Sequence, residues 1–463
     1  MRSTIDLDPR ITESDGPMTT PAEFARRRQQ LMRAITAEAG RDAAAIFVSS
    51  REIIRNGDVH HAFRQQSTFW YLTGFEEPEA VLVLRPGHAQ PVTMFVRPHD
   101  PVMAVWVGPR AGVDGAVAQY GADAAHPIED LETALPRLLG GARTVYYALG
   151  EDARMDALVT RVVADRRDGA QRGAATIEAV RDPSALVDGQ RLIKSTPLIK
   201  STPEVRALQR AIDITGAGLV AAMAATRPGM YEYEIQAILE QEYRRLGSPR
   251  EGFPTIAASG ENSCTLHYVS NRRQVQKGDL MLLDTGAEWD YYSADVTRTY
   301  PASGKFSAAQ RAAYDVVLAS QEAGIAKTAP GVSFHAVHQA SLRVLVEGLI
   351  DLKVLRGSVD SNIERETYRA YYMHSTSHWL GLDVHDAGAY RTGQKSTTLR
   401  PGMVLTVEPG LYFAPDSKAP KRLQGIGIRI EDDVLVTPSG RRVLSGRIPK
   451  APDALEALVG SAG

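Results

Sequence analysis

Through the first half of the chain, short apolar runs alternate with stretches of helical period. Ala43–Val48, Ala80–Leu84, Val92–Val96 and Thr144–Tyr147 are apolar, bounded by Gly, Pro and Asp, and predict strands. Pro21–Ala39, ahead of the first of them, predicts a helix. The combination predicts a mixed α/β domain. After residue 200 the pattern changes. Thr202, Pro203 and Glu204 form a helix start, with a cap, a proline in the first turn and an acid at the positive end of the dipole. Val205, Leu208, Ile212, Leu219 and Met223 continue it as one apolar stripe. Further helices are predicted over 231–246 and 307–327, the second opening on a capping box, Ser307-Ala308-Ala309-Gln310. The strands between and after these helices predict an α+β second half, with helices covering a largely antiparallel sheet.

A length of 463 residues fits two or three domains. The boundary is predicted near 185–203, where LIKSTP occurs twice in succession, at Leu192–Pro197 and Leu198–Pro203. A duplication this short is no structural repeat, and a surface linker is where it is best tolerated. The organisation read from the sequence is an extension over 1–20, expected to be disordered, a first domain over 21–190, a linker over 191–203, a second domain over 204–450 and a tail over 451–463.

Bulk composition removes several functions. Acidic and basic residues nearly cancel, leaving a formal charge of -2, so the balance gives no electrostatic footprint for nucleic acid. The local run Arg26-Arg27-Arg28 reads as the solvated face of a helix. The single cysteine, Cys264, allows no intrachain disulfide, which fits a reducing, cytoplasmic setting, and it reads as a small core or pocket residue. The first twenty residues contain no apolar segment of a secretory signal. No run approaches the roughly 18 apolar residues of a membrane-spanning helix, so no membrane partner is expected.

The chemistry lies in acids placed where apolar strands end. Leu280–Leu283 runs into Asp284. Asp295 and Thr297 share a strand face because side chains alternate with period two. Met403–Val407 runs into Glu408, and the alternation around Ile426, Ile428 and Ile430 puts Arg429 and Glu431 on one face. Each acid alone reads most simply as a strand-end or salt-bridge carboxylate. Four of them on four strands point to a site, because a carboxylate in apolar surroundings is costly unless a cation meets it. His374, His378 and His385 fall in a segment rich in Gly and Ser. The first two have the spacing of a helical zinc pair but lack its glutamate.

These residues, in the motifs LLDTG, SADVTRT, HSTSHWLGLDVHD, LTVEPGLY and GIGIRIEDD, resemble the pita-bread metallopeptidases. Phe63–Phe75 and Glu77-Pro78-Glu79-Ala80 resemble the amino-terminal domain of the aminopeptidase P family. The resemblance runs from about residue 21 to 450 and implies an α/β amino-terminal domain followed by an α+β pita-bread catalytic domain of the creatinase and methionine aminopeptidase type. It implies two divalent metal ions held by Asp284, Asp295, His378, Glu408 and Glu431, with Glu408 also moving a proton. It further implies that His267 lines a proline pocket and steadies the tetrahedral oxygen, that His385 acts on the scissile carbonyl or the leaving group, and that His374 lies near the substrate. Arg429, Tyr412 and Thr297 would hold these groups in place, and Trp106 in the segment Ala104–Arg110 would rim the site of a neighbouring subunit in a homodimer or homotetramer. The oxygen-rich ligand set suits Mn²⁺, Co²⁺, Fe²⁺ or Zn²⁺, and the resemblance favours manganese.

The activity implied is release of the first residue from peptides with proline second. Methionine aminopeptidases lack the first domain and creatinases lack the ligand set. Prolidase, which cleaves only dipeptides, is the near rival, and a non-catalytic peptide-binding module the remote one. Two departures from the family pattern are the duplicated LIKSTP and Ser375, which stands where a glycine is expected.

Overall fold

The computed structural model describes residues 19–171, 185–193 and 198–462. The chain forms two compact units, Thr19–Thr196 and Pro197–Gly463. The division falls inside the segment read as a linker, of which 194–197 lie outside the described residues, as does most of the extension over 1–20.

In the first unit Thr20 caps α1 (Pro21–Ala39), its side chain accepting from the Glu23 N–H. The strands of its main sheet are β1 (Ala43–Val48), β2 (Val81–Leu84), β3 (Val92–Val96), β4 (Ala124–Pro127), β5 (Thr144–Tyr146) and β6 (Ala185–Val187), ordered β4-β3-β2-β1-β5-β6. Pairing is antiparallel for β1·β2 and β2·β3 and parallel for β3·β4, β1·β5 and β5·β6. One face buries Ala44, Ile46, Val81, Val83, Phe95 and Val145 against Leu131, Leu135, Val159 and Val162. The period-two choice of residues along β1 and β2 is the strand alternation at work.

The basic run on α1 overturns its sequence reading. Arg27 and Arg28 are buried, at 0% and 3% exposure. The Arg27 guanidinium lies 4.1 Å from the Tyr71 ring centroid and donates to the Tyr71 carbonyl. Arg28 donates to the carbonyls of Leu72 and Gly121. These guanidiniums are buried because their fixed donors meet backbone carbonyls and, for Arg27, an aromatic face. The helix α2 (Pro101–Val107) behaves oppositely: it buries no residue and leaves Val105 and Trp106 84% and 79% exposed.

The second unit opens on α3 (Thr202–Ala225). Its cap is Ser201 rather than Thr202, and the Ser201 N–H donates to the Glu204 carboxylate at 2.8 Å. The reciprocal box needs its glutamate three residues on, which selects Ser201. The helices α4 (Glu232–Arg245) and α5 (Ala308–Lys327) match their sequence expectations, α5 with the Ser307/Gln310 box formed. α6 (Phe334–Asp351) follows, and the segment read as a tail contains α7 (Pro452–Leu458), which buries Leu455 completely.

The strands here are antiparallel, as expected, but divided among several small sheets. β7 (Ile256–Ser259), β8 (Leu280–Thr285) and β9 (Val296–Pro301) form one. β10 (Val404–Val407), β13 (Asp432–Thr437) and β14 (Gly440–Val443) form a second, and β11 (Gly410–Phe413) with β12 (Ile426–Arg429) a third. The sheets are stitched by side chains where the ladder stops: Thr299 Oγ1 donates to the Arg429 carbonyl at 2.9 Å.

A buried polar cluster ties this unit together. Arg298 donates to Asp432 at 2.8 Å and to the carbonyls of Glu431 and Ile448, while Lys450 and Gln321 donate to the other Asp432 oxygen. Burial works to raise the Asp432 carboxyl, yet Arg298 and Lys450 hold it well below the ordinary carboxylate range. Removing one partner of such a pair leaves buried charge uncompensated, so Asp432→Ala should lower stability by about 3–5 kcal/mol in urea unfolding. A variant within about 1 kcal/mol of the parent would show that the cluster is not structural.

Candidate metal centre

The register of β8 and β9 places Asp284 opposite Thr297. Asp295 precedes Thr297 by two residues, so Asp284, Asp295 and Thr297 face the same way. The turn between them needs Gly286, where a Cβ would stand 1.8 Å from the Ala294 carbonyl oxygen. β12 delivers Arg429 and, just past its end, Glu431 to the same side. Thr297 Oγ1 donates to Glu431 Oε2 at 2.7 Å, and Arg429 Nε donates back to Thr297 Oγ1 at 3.2 Å.

His378 and Glu408 arrive together. The His378 N–H donates to Thr406 Oγ1 at 3.1 Å and the Thr406 N–H to the His378 carbonyl at 3.0 Å. The Glu408 N–H donates to the Thr376 carbonyl at 2.8 Å. His378 Nε2 then lies 3.2 Å from Asp295 Oδ2 and 3.5 Å from Glu408 Oε1. Its Nδ1 sits 3.0 Å from the Trp379 carbonyl, which only accepts. In the neutral ring the proton is therefore on Nδ1, and the Nε2 lone pair points at the carboxylates, the tautomer a metal-binding imidazole takes.

Of the five expected metal-binding residues, three come together as one group, with Glu408 beside His378. Asp295, His378 and Glu431 each present a ligand atom within 4.8 Å of the others. Burial, reinforced by the neighbouring acids, pushes the Asp295 and Glu431 carboxyls well above the usual range, and burial also raises Glu408. Asp284 Oδ1 and Glu431 Oε1 are buried without a hydrogen-bond partner. Crowded carboxylates with orphaned oxygens and an unprotonated imidazole nitrogen fit divalent cations.

Around this group, Arg429 donates to Asp284 Oδ2 at 2.6 Å and to the Tyr412 hydroxyl at 2.9 Å. The Tyr412 hydroxyl lies 2.8 Å from His374 Nε2, whose Nδ1 meets the Ser375 carbonyl at 2.8 Å. A proton on Nδ1 makes Tyr412 the donor to Nε2. Burial, with Arg429 adding to it, pushes His374 down to about 4, so it is neutral near pH 7. His385 is exposed, its ring centroid 4.3 Å from that of His378. Burial lowers its pKa, followed by His378 and by His267, which is also exposed. Trp106 belongs to the other unit, on α2. Cys264, half-buried, has its thiol pushed up to about 11 by burial, which suits a packing residue.

Two residues of the site escaped the sequence reading. Asp433 is fully buried and accepts from the Asp295 N–H at 3.2 Å. Thr406, which fixes His378, stands two residues before Glu408 on the same strand face, and that alternation was the signal for it.

Residues 206–438 match the model of metallopeptidase family M24, and residues 24–146 that of the aminopeptidase P N-terminal domain. The chain is similar to the Xaa-Pro aminopeptidase of Escherichia coli, at 41% identity over 94% of this chain and 97% of the relative. Among solved structures it is similar to Pseudomonas aeruginosa aminopeptidase PepP, with a TM-score of 0.90 and 43% identity, covering 96% of this chain and 98% of that one. It is equally similar in fold to zinc-substituted Escherichia coli aminopeptidase P in complex with product, with a TM-score of 0.90, 40% identity, and coverage of 96% and 99%.

Proposed function

The chain belongs to metallopeptidase family M24 and carries an aminopeptidase P amino-terminal domain, and from that premise we propose how its own residues work. It is a hydrolase that releases the first residue of peptides whose second residue is proline. Asp284, Asp295, His378, Glu408 and Glu431 hold two divalent ions. The convergence of Asp295, His378 and Glu431 carries this reading. When bound, such ions lower the pKa of a coordinated water toward 7 and polarise the carbonyl under attack. The hard, oxygen-rich set is compatible with Mn²⁺, which we take as the working metal, and the zinc-substituted relative supports a site tolerant of several ions.

Glu408 carries the proton. Water adds through its oxygen to the carbonyl carbon of the first residue, the bond to the proline nitrogen breaks, and the proton released from water passes through the Glu408 carboxylate to that nitrogen. A carboxylate can both take this proton and give it. Proline leaves as a secondary amine from a tertiary amide, so the substrate offers no N–H at the scissile bond and recognition depends on shape and ring contact. His267 supplies the wall of that pocket and His385 steadies the carbonyl oxygen. Arg429 orients Asp284, Thr297 orients Glu431, and Tyr412 joins Arg429 to His374 near the substrate.

Among the described residues no helix is long and apolar enough to cross a membrane. The lone cysteine supports work in a reducing compartment such as the cytoplasm. The exposed apolar face of α2 supports a homodimer or homotetramer in which Trp106 meets a neighbouring copy.

Two histidine variants test the assignment. His378→Ala should lose bound metal and activity together. His385→Ala should lose about 10²-fold in kcat, a loss typical of one removed donor to a developing oxyanion, while its metal content stays at the parent level. Loss of metal from the second variant would mean that the two histidines have been exchanged.

A further inference from the structure

Lys200, in the second LIKSTP copy, is a buried cation. Its Nζ donates to Asp386 Oδ2 at 2.7 Å, with the two side chains 1% and 3% exposed. Removing both charges from water is costly, and apolar side chains of similar volume would hold the fold as well. What the pair adds is geometry. Asp386 directly follows His385. Its N–H donates to the Trp379 carbonyl at 3.0 Å, and the Gly381 N–H donates to the Asp383 carbonyl at 3.2 Å, closing Trp379–Asp386 as one loop. Gly381 leaves the pair its space: a Cβ there would stand 2.2 Å from Asp386 Oδ2 and 3.0 Å from Lys200 Cε. Outside the loop the Lys200 N–H donates to the Gly402 carbonyl at 2.8 Å, just before β10. His378, by contrast, is held by its own paired hydrogen bonds to Thr406.

We propose that Lys200 is a positioning residue: through the buried pair with Asp386 it fixes the Trp379–Asp386 loop and sets His385 against the substrate carbonyl, independently of the metal-binding His378. This inference rests on the role given to His385 above. The duplication therefore leaves a defined task to its second copy, because the lysine must reach Asp386 from the residues that lead into α3.

The test uses the metal-loaded full chain and the double variant Lys200→Met/Asp386→Leu, which exchanges the pair for apolar side chains. Its melting temperature and bound metal should match the parent, while kcat on Ala-Pro-Ala falls about tenfold, since a small misplacement of one group is enough for that loss. In the His385→Ala background the same double substitution should change kcat less than about twofold, because both changes remove one function. Gly381→Ala, which presses on the pair from the loop side, should reproduce the pattern and serves if the double variant fails to fold. Parent-like kcat in the double variant would reduce the pair to a structural role and overturn the inference. Loss of metal would overturn it too, since the pair would then act through His378, as would an undiminished tenfold loss in the His385→Ala background. If His385→Ala alone keeps parent kcat, the role of His385 fails first, and the inference with it.

Discussion

Glu408→Gln should lower kcat on Ala-Pro-Ala by about 10²–10⁴-fold, the range typical of a lost general acid–base. The substitution keeps the side chain's shape but removes both its charge and its capacity to carry a proton. Glu408 sits 3.5 Å from His378 and 3.8 Å from His374, and its backbone is fixed by Thr376, so the amide will occupy nearly the same place. Its effect should appear in kcat more than in KM. Elemental analysis of the same preparation separates a lost proton carrier from a lost metal-binding group: an oxygen remains to meet the ion, and metal should be weakened rather than abolished. A kcat within tenfold of the parent, with metal present, would assign the proton transfer to another residue.

Removing the metal should have the larger effect. Asp284, Asp295, Glu408 and Glu431 lie in a site where burial, with the neighbouring acids adding to it, raises the pKa values of Asp295, Glu408 and Glu431. Dialysis against a chelator should abolish activity, and Mn²⁺ should restore it better than Mg²⁺, which demands near-ideal octahedral geometry. Titration should reach full activity at two ions per chain. The metal should also stabilise the fold, by about 2.7 kcal/mol when its concentration is 100-fold above Kd. Full activity in the stripped protein would end the metal-dependent reading.

Much of this was legible in the sequence, for identifiable reasons. Apolar runs bounded by Gly, Pro and Asp located β1, β2, β3 and β5, and helical patterns and caps located α1, α3 and α5. Asp295, Glu431 and His378, which the fold groups, were visible as acids on apolar strands and as one of the clustered histidines. What sequence could not supply was partnership. Arg27 and Arg28 read as solvated because nothing local announces the carbonyls of Tyr71, Leu72 and Gly121 that accept from them. Lys200 and Asp386 are 186 residues apart, and only the fold brings them within 2.7 Å. Asp433 looked like one more acid after Glu431, yet it is the residue that accepts from the Asp295 backbone. The strands β4 and β6 were missed because they are short and only half-buried, so they carry little alternation.

The preference for peptide length tests the account most directly, because a dipeptidase must bind the free carboxylate of proline whereas an aminopeptidase must leave that end open. The measurement is kcat/KM of the Mn²⁺-loaded chain on Ala-Pro-Ala and on Ala-Pro, followed by release of free alanine. A higher kcat/KM is expected on the tripeptide, with alanine and Pro-Ala as its products. Cleavage of Ala-Pro with Ala-Pro-Ala left intact would contradict it.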